Sequence, residues 1–337
     1  MNYRILIYIL ILMLFISRLK ENFSDIANKY YLKIYRSHHP WEKSLLKNKD
    51  YKAYVIHDTN KKNKITISSV IKSKILVNLD NKMELTKFLK NKLYYPETYI
   101  YSKNNTSIPT IKNDLWFIKP FQIYGGKGIK IVDSDISLKK NIVLNKKYII
   151  QKNIGNLYLF DGKKGDIRVH YLVIYYKNEL SFYLYKEGHI KLAKEKYIAN
   201  STDTLVQLTN VTQINKNEPP RCKKFNSDTP EYNVFFNNIK LVLTDLSKEI
   251  KKKSYHYKSK YALEFQLCGP DIIFDNNYNP YLFELNSNYP AYIMNKDIPE
   301  VKIIKKNISN ILTNHLFINA INKKELQLEH FGFVKLL

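Results

Sequence analysis

Short apolar runs broken by turn residues dominate the chain, and long amphipathic stretches are few. Alternation and β-branched or aromatic runs predict strands at 51–57, 74–79, 115–119, 129–132, 148–151, 169–176, 180–185, 263–274 and 280–285. Helical spacing marks 81–93, 231–251 and a closing segment at 299–322. No internal repeat or long Gly/Ser/Pro linker divides the chain. The pattern predicts an α+β protein of two or three lobes that opens with a small α/β unit.

Residues 5–16 (ILIYILILMLFI) are uninterruptedly apolar, with Arg4 on one side and Arg18 and Lys20 on the other. The run is shorter than the roughly 17–25 residues that span a bilayer comfortably, and no small-x-small cleavage site follows it. Two readings stand: a marginal membrane anchor over 4–18, with the next domain held on the cytoplasmic face by Arg18 and Lys20, or a buried first element.

Composition narrows the classes. The chain has 337 residues, 45% of them hydrophobic and 25% charged, which excludes wholesale disorder, a collagen-like repeat and a multi-span membrane protein. Cys222 and Cys268 cannot build a disulfide framework and have no zinc-ligand spacing, which favours a reducing compartment. Lys plus Arg number 55 against 30 Asp plus Glu, a net charge of +25. Heavy use of Lys, Asn, Ile and Tyr accounts for part of that charge by composition. The remainder suits an acidic protein tail, anionic lipid or nucleotide. The lysines are dispersed, and no zinc-finger, RNP or helix-turn-helix signature is present, so no specific nucleic-acid partner is expected.

Three clusters carry candidate chemistry. Three of the nine glycines are Gly125, Gly126 and Gly128, which surround Lys127 between two predicted strands. Such a hairpin is either an ordinary tight turn or a loop whose amides, with Lys127 and the nearby Lys119, cradle phosphates. The spacing is not that of a P-loop. Alternation in Lys164-x-Asp166-x-Arg168 puts three charged groups on one strand face, which by itself describes a strand's wet side. The third cluster is the hairpin DIIFDNNYNPYLFELN at 271–286. With a four-residue connection at 276–279, Asp271 falls opposite Glu284, and Asn286 projects from the same face as Glu284. Two facing carboxylates repel unless a cation lies between them, and with an amide oxygen they suit Mg2+. The alternative is a solvated hairpin face, which is also the reading for Asp275 near the turn.

Taken in chain order, these residues resemble the tubulin–tyrosine ligase family. The resemblance rests on Lys119-Pro120 followed by GGKGI, YIIQKN at 148–153, KKGDIR at 163–168, YLYKEG at 183–188, QLTN at 207–210 and FELN at 283–286. MELTKFLKN at 83–91 and YPET at 95–98 extend it, so that it covers roughly 75–295. It implies an ATP-grasp fold behind a small N-terminal α/β lobe. The lobes expected are 22–108 for that lobe, 109–165 and 166–322 for the catalytic domain, and a tail at 323–337.

The family's roles then carry over by position. Gln151 and Lys152 match the adenine hinge. Lys119, Lys127 and Lys164, with Gly125, Gly126 and Gly128, match the phosphate cradle, and Asp166 a residue near the ribose. Arg168 matches an arginine facing the reaction centre, and Asn210 a residue beside the triphosphate and metals. Asp271, Glu284 and Asn286 match the Mg2+ ligands, and Lys87 an N-terminal lysine. Lys186 replaces the arginine of YLYREG and loses its two-pronged grip on a carboxylate or phosphate.

The implied reaction consumes ATP to convert an acceptor carboxylate to an acyl-phosphate, which a free amino acid then displaces. The acceptor would be a protein such as tubulin with its acidic tail. Two alternatives remain: a carboxylate–amine ligase for a small molecule, and a non-catalytic, membrane-tethered binding protein.

Overall fold

The computed structural model describes residues 30–33, 54–55, 65–68, 71–112, 114–121, 123, 125–209, 221–286, 299–321 and 324–337. The apolar run at 5–16 and Asn210 lie outside the described residues. Among the described residues no helix is long and apolar enough to cross a membrane.

The chain is α+β, as its periodicity predicts, and is built on two sheets. Strands β1 (Tyr30–Lys33), β2 (Tyr54–Val55) and β3 (Ile65–Ser68) pair in parallel. Helices α1 (Lys74–Asn78) and α2 (Lys82–Leu89) follow. The small sheet has the order β4-β7-β5-β6, from β4 (Thr98–Tyr101), β5 (Trp116–Pro120), β6 (Lys130–Val132) and β7 (Tyr148–Lys152). Helix α3 (Asp135–Asn141) packs against it, burying Leu138 with Trp116, Ile118 and Ile150.

The large sheet takes in β8 (Leu159–Phe160), β9 (Lys163–Arg168), β10 (Tyr171–Tyr176), β11 (Glu179–Tyr185) and β12 (Gly188–Leu192). After the short helix α4 (Thr204–Gln207) come β13 (Cys222–Phe225), helix α5 (Tyr232–Lys253), β14 (Leu263–Phe274) and β15 (Pro280–Asn286). Helix α6 (Pro299–Ile311) continues through a π-turn at Leu312–Phe317 into α7 (Ile318–Ile321), and β16 (Phe333–Lys335) adds to β11.

Two amphipathic helices cover the two faces of this sheet. Phe235, Ile239, Val242, Leu246 and Ile250 of α5 recur every three or four residues and pack on Tyr171, Val173 and Cys268. Val301, Ile304, Ile308 and Ile311 of α6 pack on Leu172, Ile174, Leu263 and Phe265 from the other side. Burial on both faces explains why β10 reads as a continuous apolar run rather than an alternating one, whereas β14 carries Glu264, Gln266 and Asp271 into the same buried sheet. Each large side chain buried this way contributes about 1.5–3 kcal/mol before entropy is counted.

β14 is the hub. Its first half pairs with β10 and, in parallel, with β3; its second half pairs with β9 and β15. Pro270 falls where the partners change, the kind of position at which a missing N–H costs least.

Three local expectations are corrected. Residues 74–78 form helix α1, capped by Leu79, rather than a strand, because Leu76 and Leu79 lie inside at helical spacing while Val77 points outward. A six-residue segment carries no period long enough to separate the two states. Second, the β14–β15 connection has five residues, since Phe274 pairs with Pro280. A bulge after Asp271 restores the predicted opposition of Asp271 and Glu284. Third, Asp275 is buried rather than solvated: its carboxylate accepts from the backbone N–H of Asn277 and Asn279 and from the Asn279 amide, at 2.8–2.9 Å.

Candidate active site

A cleft of about 900 Å3, counting its open mouth, lies between the small sheet and the β14–β15 hairpin. Lys119, Gly125, Gly126, Gln151, Lys152, Lys164, Asp166 and Glu284 all line it. Eight residues expected from the sequence therefore converge on one cavity.

The glycine-rich loop joins β5 to β6, whose pairing is antiparallel as predicted. Gly125, Gly126 and Gly128 have φ of 71°, 74° and 70°, a left-handed backbone that favours glycine. Lys127 is exposed at the loop tip.

Strand β7 supplies the opposite wall. The Gln151 side chain donates to Thr98 Oγ1 at 3.0 Å and accepts from Lys119 Nζ. Lys152 turns its ammonium to Asp114, 2.8 Å away, which leaves its backbone to face the cleft. Lys164 Nζ donates to Asn153 Oδ1 and Gln207 Oε1 at 2.9 and 3.0 Å and lies 4.7 Å above the Phe117 ring. Burial pushes the Lys164 ammonium down to about 7, with Lys119 adding like-charge repulsion. Burial also pushes Lys119 down to about 8, against the pull of Glu284.

Alternation on β9 carries Lys164, Asp166 and Arg168 on one face, as predicted, and cross-strand pairing extends that face. Asp166 stands opposite Lys191, and Arg168 stands between His189 and Asp271. The Arg168 guanidinium grips Asp271 in two-pronged fashion, Nη2 to Oδ2 at 2.6 Å. Lys191 Nζ lies 2.8 Å from Asp166 Oδ1 and 3.0 Å from Asp271 Oδ1. Thr209 Oγ1 donates to the other Asp166 oxygen.

These contacts divide the two aspartates. Burial works to raise Asp271, but Arg168 and Lys191 bring it down to about 2. Burial and the neighbouring Asp271 outweigh Lys191 at Asp166, which rises to about 6. Burial acts to lower Lys191, yet Asp166 and Asp271 raise it. Burial, helped by Arg168, holds His170 down to about 3 and His189 well below its usual range, so both rings beside Arg168 are neutral at physiological pH.

The repulsion foreseen between Asp271 and Glu284 is relieved by protein cations: Arg168 and Lys191 take Asp271, and Lys82 lies 3.6 Å from Glu284. Among the described residues no group of three His, Cys, Asp or Glu side chains gathers as a metal-holding set. The set expected here has only two carboxylates. Glu284 opens to the cleft, and Asn286, whose amide nitrogen donates to Gly269 O at 3.2 Å, keeps its amide oxygen as acceptor. Glu284 on the cleft wall, with the Asn286 amide oxygen two positions further along β15, fits a hard cation that completes its shell with water and phosphate. Asp271 is fully buried behind them, with its carboxylate engaged by two cations.

The other expected residues stand off the cleft lining: Lys127 and Gly128 are exposed on the loop, Arg168 and Asp271 are buried, Asn286 follows Glu284 on β15, and Lys186 and Lys87 lie elsewhere. Lys186 is exposed outside the cleft, its carbonyl accepting from Tyr232 Oη at 2.6 Å. Lys87 is 57% exposed and paired with Glu84 at 2.7 Å. Conversely, Gln207 and Thr209 of the QLTN motif line the cleft, as do Lys82 and Lys191, which no motif carries. His189-x-Lys191 repeats the alternation of Lys164-x-Asp166-x-Arg168, a signal that was available. Lys82 had none beyond its place next to a capping asparagine.

Comparison with known proteins places these residues in context. The model of the "Tubulin-tyrosine ligase family" matches residues 26–325. A "Probable tubulin polyglutamylase" of Mus musculus is 27% identical over 241 residues, 67% of this chain and 43% of that protein. A "Probable beta-tubulin polyglutamylase" of Tetrahymena thermophila is 29% identical over 254 residues, 66% of this chain and 20% of its own length. A "Tubulin glycylase 3D" of the same organism is 24% identical over 246 residues, 67% of this chain and 24% of its own. The matched region thus spans less than half the length of each of these three relatives.

Proposed function

The chain belongs to the tubulin-tyrosine ligase family, and on that premise we propose that it is an ATP- and Mg2+-dependent ligase joining an amino acid to a carboxylate of an acidic protein acceptor such as tubulin. The observation that carries this reading is the convergence of Lys119, Lys164, the glycine-rich loop and Glu284 on one cleft. Two lysines pushed toward neutrality by burial are matched to an incoming polyanion, which would restore their charge.

In this reading the loop amides at Gly125, Gly126 and Gly128, with Lys127 above them, cover the phosphates, and Lys119 and Lys164 neutralise them from below. The β7 segment at Gln151 and Lys152 borders the base, and Asp166, anchored by Thr209 and Lys191, borders the sugar. Asp271, Glu284 and Asn286 would hold Mg2+, Asp271 also fixing Arg168. A bound Mg2+ supplies charge neutralisation on the phosphoryl group being transferred.

The acceptor carboxylate oxygen attacks the γ-phosphorus and ADP leaves, giving an acyl-phosphate. The amino group of the second substrate then attacks the acyl carbon, inorganic phosphate departs, and an amide forms with loss of a proton. Arg168, held by Asp271, and Lys191, which lines the cleft, would add positive charge beside this chemistry, and positioning supplies much of the rate. Asn210 follows Thr209 directly and would flank the same phosphates. Lys186, exposed outside the cleft, would meet the acceptor rather than the nucleotide.

The family's N-terminal lobe and two-lobed catalytic domain give the proposed organisation, and a membrane anchor at 4–18 is proposed only as an addition to it. The relatives' names differ in the amino acid added, so the test uses a mixture. Full-length protein is incubated with Mg·ATP, tubulin and labelled amino acids, alongside Glu284→Gln. Label transfer in the wild type that falls by at least about a hundredfold in the variant, with an unchanged melting profile, is expected. Transfer retained by Glu284→Gln would overturn the metal assignment. Glu284-dependent ATP turnover without transfer would replace tubulin by another acceptor.

A further inference from the structure

Helix α2 reaches the cleft through one side chain. Asn81 caps the helix, its side chain accepting from Met83 N and Glu84 N at 2.9 and 3.3 Å, and this sets Lys82 at the first helical position. A lysine there works against the helix dipole, so its charge needs an anion from elsewhere. Glu284 supplies one: the ammonium lies 3.6 Å from Oε1 of that carboxylate and 3.5 Å from the carbonyl oxygen of Ile123 in the glycine-rich connection. The Lys82 side chain is 15% exposed. One ammonium therefore ties three parts of the cleft wall together: α2, the β5–β6 connection and β15.

That position has a consequence for loading. Glu284 paired with Lys82 cannot also take a divalent cation without bringing two cations against each other. A polyphosphate entering beside Lys119 and Lys164 offers Lys82 another anion and frees the carboxylate. We propose that Lys82 is a resident counter-ion that occupies Glu284 in the empty cleft, opposes metal binding until nucleotide arrives, and then transfers to a phosphate oxygen. Lys82 is thus a positioning residue that makes metal and nucleotide enter together. The proposal rests on the ATP-dependent reading above.

The test uses the full chain as wild type, Lys82→Met, Lys82→Arg and Lys87→Met. Mn2+ binding without nucleotide is followed by electron paramagnetic resonance, and binding of a fluorescent ATP analogue is titrated with Mg2+. Loss of Lys82 is expected to tighten Mn2+ binding about tenfold and to weaken Mg·nucleotide binding about tenfold, opposite signs that mere structural damage does not produce. Lys82→Arg retains most of both wild-type affinities, Lys87→Met retains all of both, and the tightened Mn2+ binding is lost when Glu284→Gln is added. Should Lys82→Met melt early, Lys82→Gln takes its place. Unchanged affinities, or two shifts in one direction, overturn the proposal and leave the ATP reading standing. A wild type that binds no nucleotide overturns both.

Discussion

At Lys164 and Lys119, cationic side chains are held where water is scarce, and this has a measurable sign. The unfolded chain keeps both lysines protonated to above pH 10, whereas the folded chain releases the Lys164 proton near 7 and the Lys119 proton near 8. Between those values the unfolded state binds more protons, so stability rises with pH from about 7 toward 10. Stability curves of Lys164→Met should lack most of that rise. Nucleotide, by restoring the charge, should draw protons from solution at pH 8. Calorimetry in two buffers of different ionisation enthalpy reads this directly, and equal heats in both would remove the electrostatic role assigned to these lysines. Lys164, Asp166 and Arg168 were legible because a strand's period of two needs no tertiary information. Lys191 shows the same period of two with His189, but its pairing with Asp166 and Asp271 is decided by the order of β12, β9 and β14 in the sheet.

The hairpin of β14 and β15 and the register of β12 decide how well these groups are aimed. The predicted opposition of Asp271 and Glu284 holds, although the turn is one residue longer than expected and a bulge absorbs the difference. Hairpin symmetry constrains which residues face each other, but turn length and bulge trade off in ways that only Asp275 and its three hydrogen bonds settle. Strand β12 depends on close approach: a Cβ added at Gly188 would run into the Arg168 carbonyl of β9. Gly188→Ala should therefore push β12 away, cost about 1–3 kcal/mol in denaturant unfolding, and loosen Lys191 from Asp166. A full-stability variant would mean that the strands separate without strain. The misread 74–79 shows the limit at this scale. Its helix is chosen by where Leu76 and Leu79 find a core, a choice that local propensity did not contain.

Across the whole molecule the +25 charge becomes a statement about association. Exposed lysines on several elements create a field that steers acidic partners and fades as the Debye length shrinks from about 10 Å at 0.1 M salt to 3 Å at 1 M. An acidic tail peptide should bind with a steep loss of affinity as salt rises, measured by fluorescence anisotropy. A neutral peptide of the same length should show neither the binding nor the slope, and equal binding of both would separate the charge from acceptor recognition. By itself the sequence determined the α+β class, most strand positions, the glycine loop, the alternating charged face of β9 and the family, because those depend on period, composition and the order of motifs. Tertiary structure decided the rest. It drew β4 into the small sheet beside β7 and β3 onto β14. It brought Lys82 and Lys191 to the cleft and sent Lys186 and Lys87 outside it. It also divided two aspartates into one held near 2 and one raised to about 6. Those outcomes depend on which distant charges share a low-dielectric space, a property that belongs to the folded arrangement and not to any window of sequence.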